Sequence, residues 1–186
     1  MYATKPSRLD ILNETAPQFF WIVQQLLWSE ALLGICRLTA HPKSYNKPNL
    51  TVRRLAPLIE SDELRVEVES KVETVVKDAR FANDWRNRRI AHRDLALALG
   101  HPAEPLATAT KEAVDICFTG LANVLNAVQL HYTNGTTAYN CIISQGGAHA
   151  ILYYLRDGLR REEDRQASLD GGKYDPRLWN DDLGDL

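Results

Sequence analysis

Pro17-Gln18-Phe19-Phe20-Trp21-Ile22-Val23-Gln24-Gln25-Leu26-Leu27-Trp28 is the stretch whose reading decides the fold. Phe19, Phe20, Ile22, Val23, Leu26 and Leu27 recur at helical spacing, and Leu33, Ile35 and Leu38 continue the series. Pro17 suits a first helical turn, where an N–H has no partner to lose. The spacing predicts a helix from Pro17 to about Thr39, buried on much of its surface. His41-Pro42 and Asn46-Lys47-Pro48 end it.

The same period recurs downstream. Leu50 to Ile59 reads as a short helix. Ser61 is a plausible N-cap, with Asp62 and Glu63 in the favourable first turn. Leu64, Val68, Val72, Val75, Val76 and Ala79 then form an apolar stripe that runs on to about residue 84. After Gly100-His101-Pro102 and Pro105, Thr108 or Thr110 opens a helix carried by Val114, Cys117, Leu121 and Val124, and Asn134-Gly135 closes it. A last helix begins at Thr137 or Gln145 and reaches Arg165, with Ile151, Leu152, Leu155 and Leu159 on its apolar side. Residues 1–12 read as a loose arm. Nothing alternates with period two over a useful length, so the fold is expected to be all-α, a bundle of four or five main helices. Residues 1–167 form one helical domain in this reading. Residues 168–186, with Gly171-Gly172, Pro176 and many acids, form an acidic, poorly ordered tail.

Composition narrows the class without choosing it. The chain is 45% hydrophobic and 25% charged, ordinary for a soluble globular protein. No unbroken apolar run has the length of a membrane span, and the first residues lack a signal peptide's apolar core, so a cytoplasmic protein with no membrane partner is expected. Cys36, Cys117 and Cys141 are widely spaced among aliphatic residues and read as core positions in a reducing compartment. No His, Cys or acid cluster has metal-ligand spacing, and no Gly-Lys-Ser phosphate loop is present, so no metal and no cofactor is expected. From Glu162 onward eight acids face three bases, which leaves that segment at −5 and, against −2 for the whole chain, the remainder at +3. A mildly basic body permits an anionic partner.

The bases concentrate in Trp85-Arg86-Asn87-Arg88-Arg89-Ile90-Ala91-His92-Arg93-Asp94. On an ideal helix Arg88 and His92 share a face, and Arg86 lies about 120° around and about 9 Å along the axis from His92. A long arginine covers that gap. An imidazole and a guanidinium meeting at one spot are useful for phosphate chemistry, because one moves a proton near neutral pH and the other holds a phosphate through paired hydrogen bonds. The structural alternative ties Arg86 and His92 to carboxylates such as Asp84 and Asp94.

Arg86-Asn87 followed by five positions and then His92 resembles the signature of HEPN domains, an arginine, often a polar residue, four to six positions and a histidine. The layout is similar to the abortive-infection (AbiU-like) branch, whose long first helix ends near an Arg-Leu pair, here Arg37-Leu38, and which carries an Ala-His-Arg-Asp sequence, here Ala91 to Asp94. The likeness covers roughly residues 15–160. It implies an up-and-down helical bundle that pairs as a homodimer, and a metal-independent endoribonuclease acting as a toxin or phage-defence factor, with an antitoxin or defence-system partner. It implies catalytic roles for His92 as general acid or base, for Arg86 in stabilising the transition state, and for Asn87 in orienting the site. Arg88, Arg89 and Arg93 have no family role and are assigned RNA-phosphate contacts. The alternatives are a HEPN module that binds RNA, a nucleotide or a partner without cutting, and a helical scaffold without chemistry.

Overall fold

A computed structural model describes residues 5–91, 94–101, 104–141, 147–173 and 176. The fold is all-α, as expected. The chain forms two compact units, one from Met1–Gln25 together with Ile142–Leu186 and the other from Leu26–Cys141.

In the first unit, α1 (Pro6–Thr15) packs against α7 (Ala148–Asp170). Leu12 of α1 and Leu152 of α7 are buried together with Phe20, and Ile11, Ala16 and Leu155 pack around them. The expected loose arm is therefore a docked helix. Pro6 starts it, and its signal is thin because one residue, Leu12, is fully buried. α7 continues past Arg165, so the expected tail boundary at residue 168 falls inside it, and Gly171 and Gly172 close its end through bonds to Ala167 and Leu169 carbonyls. Ser168, Leu169 and Asp170 bury little. Removing residues 168–186 is expected to move the melting temperature by no more than about 2 °C. Calorimetry checks this, and a drop of several degrees would show that the segment docks.

The helix announced by Pro17 is α2 (Pro17–Thr39), at the expected bounds, and it supplies residues to both units. In the second unit its Leu32, Ile35 and Cys36 sit at i, i+3 and i+4 and are buried against Ala79, Ala82, Val114 and Cys117. The larger part of this core lies between α3 (Asp62–Asp78) and α6 (Lys111–Thr133), where Val68, Val75 and Val124 are fully buried. Each such side chain contributes about 1.5–3 kcal/mol of apolar burial. Gly120 lets the two helices approach, since a Cβ there would meet Val75 Cγ2 at 3.0 Å. Ser61 and Thr110 cap these helices, accepting from Leu64 N at 3.4 Å and Ala113 N at 3.2 Å. Asn134 ends α6 in a left-handed conformation at φ 56°.

Several expectations are corrected. Leu50 to Ile59 is not one helix but two 3-10 turns, Val52–Arg54 and Ala56–Leu58, with Pro57 in the second. A two-stranded antiparallel hairpin, β1 (Lys43–Ser44) and β2 (Lys47–Pro48), follows α2. Cys36 and Cys117 are buried, but Cys141 is exposed. α2 is not buried on much of its surface, because Phe19, Trp21, Ile22, Leu26 and Leu27 are all exposed. By length and composition α2 and α6 match membrane spans, with mean hydropathy 1.4 and 1.3, which the absence of an unbroken apolar run had hidden. α6 uses that character in the core against α3.

Candidate active site

The basic segment begins where α4 (Arg80–Trp85) ends and a π turn, Arg86–Ile90, takes over. The widening is visible in one bond, from Ala91 N to the Arg86 carbonyl at 2.8 Å, five residues apart instead of four. Three residues on, Asp94 N donates to the Arg88 carbonyl at 3.0 Å. His92 and Arg93 lie outside the described residues, but the backbone on both sides of them is pinned to the π turn.

Arg88 holds this turn in place. Its Nε donates to Asp94 at 3.4 Å, one terminal nitrogen to Asp84 and to the Pro105 carbonyl at 3.5 Å, and the other to the Glu104 carbonyl at 2.5 Å. The segment after Glu104 is tied down again by Asp84, which accepts from Ala107 N at 2.8 Å, and by Trp85, whose indole N–H donates to the Ala107 carbonyl at 2.7 Å. The two carboxylates named as partners for Arg86 and His92 thus bind Arg88. Asp94 also caps the short helix α5 (Leu95–Ala98), accepting from Ala96 N at 3.0 Å and Leu97 N at 3.2 Å. The Leu97 amide and the Arg88 guanidinium hold its carboxyl below the usual carboxylate range. A lowered folded pKa gives stability that is present above the ordinary value and lost as pH falls through the lowered one, so this network is intact at neutral pH. The Arg88 side chain is 21% exposed. Arg88→Ala is expected to cost about 2 kcal/mol, because it takes the cation from two carboxylates and a donor from two carbonyls, and Arg88→Lys restores a fraction of that without the planar fork. Urea denaturation checks this, and an unchanged midpoint would remove the clamp from the account.

Arg86 behaves differently. Its side chain is exposed, and its guanidinium makes no hydrogen bond or ion pair among the described residues. It lines a cavity of about 390 Å³ with Leu33, Cys36, Arg37, Ser44 and Asn49 among its other walls. Arg88 and Arg89 line a second cavity, of about 350 Å³, with Asp94, Leu97, Ala98 and Leu106. The described arginines of the segment are therefore divided between two places. Asn87 is exposed. Arg89 lies over the Trp85 ring, 5.3 Å from its centroid.

The sequence reading missed the company Arg86 keeps. Arg37, in the last turn of α2, reaches Glu30 at 2.5 Å and borders the cavity. Cys36 also borders it, but burial raises its thiol pKa despite the opposing Arg86 charge, and burial pushes Cys117 up to about 11. Both thiols are protonated at neutral pH, and neither is an activated nucleophile. Among the described residues no group of three His, Cys, Asp or Glu is placed to hold a metal ion.

A family model described as AbiU2, of the HEPN class, matches residues 1–151. None of the curated proteins and none of the solved structures matches the chain.

Proposed function

The chain belongs to the AbiU2 family of HEPN domains, an abortive-infection family, and from that premise we propose that it is a metal-independent endoribonuclease, acting as a toxin or phage-defence factor. The observation that carries this reading is the guanidinium of Arg86, exposed and without a hydrogen bond or ion pair among the described residues, on a turn that its neighbour Arg88 holds rigid. Among the described residues Asp84 and Asp94 are taken by Arg88 and leave Arg86 without a carboxylate, and a preorganised donor for developing negative charge needs that freedom.

In the proposed reaction the ribose 2′-oxygen attacks the adjacent phosphorus and the bond to the 5′-oxygen breaks. The products are a 2′,3′-cyclic phosphate and a free 5′-hydroxyl. His92 takes the proton from the 2′-hydroxyl or gives one to the leaving oxygen. Arg86 neutralises charge on the phosphorane-like transition state, and Asn87 orients the reacting groups. Arg89, stacked on Trp85, adds a phosphate contact, as does Arg93. Arg88, first assigned such a contact, serves the site by fixing the turn.

One motif supplies one imidazole, while the reaction uses a base and an acid. A homodimer brings the second, since a twofold axis places the same patch opposite itself. The exposed apolar residues of α2 are the surface assigned to that pairing.

The test is incubation of the purified protein with total RNA in EDTA. Fragments carrying cyclic phosphate ends are expected. Intact RNA in EDTA with cleavage restored by magnesium would overturn the reading, and RNA that is bound but never cut would favour the binding-module alternative.

A further inference from the structure

The cavity beside Arg86 contains groups for which cleavage has no use. Asn49, just after the hairpin, is locked, its Nδ2 donating to the His41 carbonyl and to Ser44 Oγ, each at 2.7 Å, while its backbone N–H donates to the Pro42 carbonyl at 2.9 Å. A carbonyl can only accept, so the amide orientation is set. Oδ1 is left as an acceptor with no donor among the described residues, and the Ser44 hydroxyl, which accepts from Asn49, keeps its own hydrogen to give. Leu33, Ala40 and Leu50 supply apolar wall, and Arg37 supplies a second guanidinium. Arg37 pairs with Glu30, but both side chains are 63% exposed, so a phosphate displaces that pair at little loss.

The tip of the hairpin is odder still. Tyr45 and Asn46 form the turn at φ 48° and 62°. Asparagine tolerates the left-handed region, but for tyrosine it is an unfavourable backbone. The Tyr45 ring is 100% exposed, so packing does not account for it. Lys43 and Lys47, also exposed, flank the tip. An unfavourable backbone that keeps a bare aromatic ring between lysines suits a surface that stacks on bases and follows a phosphate chain.

We propose that the 43–48 hairpin and the Arg86 cavity together form a subsite for consecutive unpaired nucleotides of single-stranded RNA. The cavity takes the nucleotide adjoining the scissile phosphate, whose base edge meets Asn49 Oδ1 and the Ser44 hydroxyl. Arg37 holds the neighbouring phosphate, and Tyr45 stacks on the next base. The proposal rests on the ribonuclease reading of Arg86 and adds the substrate class, because a base can be stacked and read at its edge in this way when it is splayed out of a duplex.

The test measures binding of a labelled single-stranded oligoribonucleotide and of the matching duplex to the full chain in EDTA, alongside cleavage of each. Tyr45→Gly is the decisive variant. Glycine is at ease at this φ, so the melting temperature holds or rises, while loss of the ring is expected to weaken single-strand binding about 10-fold. Tyr45→Phe keeps the ring and is expected to bind as the parent does. Arg37→Gln is expected to reduce the salt dependence of binding by about one phosphate contact. The subsite is overturned if Tyr45→Gly binds and cuts single strands like the parent, or if the parent prefers the duplex. It is also overturned if heparin and RNA depend on Tyr45 equally, which marks a general polyanion surface. A parent that binds single strands through Tyr45 and cuts nothing keeps the subsite and overturns the ribonuclease reading. A parent that cuts RNA with no contribution from Tyr45 does the reverse.

Discussion

Arg86→Ala is expected to slow RNA cleavage about 100-fold or more while leaving the melting temperature where it was, and His92→Ala is expected to slow it comparably. The pairing of those outcomes for Arg86 is what gives the test its force. A buried or ion-paired arginine loses stability when truncated, and a fall in rate is then ambiguous. Arg86 is exposed and bonds to nothing among the described residues, so its removal strands no partner among them. Arg88→Ala supplies the contrast two residues away, with stability lost first and activity following. Single-turnover cleavage under saturating protein, measured beside thermal melts, separates the two. If Arg86→Ala cuts as fast as the parent, the guanidinium is not at the reacting phosphate and the proposed mechanism fails.

The second large effect concerns pairing. Phe19, Ile22 and Leu26 lie on one side of α2 at i, i+3 and i+7 and are 60%, 43% and 64% exposed. Covering such a stripe with a second copy buries apolar area, whereas a glutamate in it leaves a desolvated charge. Leu26→Glu is expected to convert a dimer into a monomer at micromolar concentration and to lower cleavage about 100-fold, as the loss of one of two acid–base groups would. In the parent, salt should strengthen the dimer and weaken RNA binding, since apolar contact is favoured where phosphate contacts are screened. Sedimentation at two salt concentrations checks both. A parent that is monomeric and still active removes the shared site, and a parent that floats with lipid vesicles instead assigns the stripe to a membrane.

The parts of the fold written in local chemistry were legible. Pro17, Ser61, Thr110 and Asn134 act within a turn of where they stand, and the helix ends they mark fall where the residues say. α1 is hard to see in the sequence because little of it is buried and its support comes from α7, far away in the chain. The hairpin escaped because its turn uses Tyr45 and Asn46 at positive φ without glycine, and its strands are too short to alternate. At the site, the basic segment was visible as composition, but its division of labour was not. Arg88 finds partners 16 and 17 residues away in the Glu104 and Pro105 carbonyls, and Arg86 meets Asn49 and Arg37 across a cavity that exists once α2, the hairpin and the π turn have come together. No spacing rule could tell two arginines of one run apart.

A π turn is an α-helix that has accommodated one additional residue without unravelling its flanks. Here it falls between the arginine and the histidine of the motif, at Arg86–Ile90. Insertions and deletions are ordinarily ruinous in a helix, because each rotates everything beyond it by about 100°. A bulge absorbs the change locally, and the bonds from Ala91 to Arg86 and from Asp94 to Arg88 show where the slack is taken up. A change of one residue in the spacer between Arg86 and His92 is therefore expected to be taken up within the turn, while the segments on either side keep their footing.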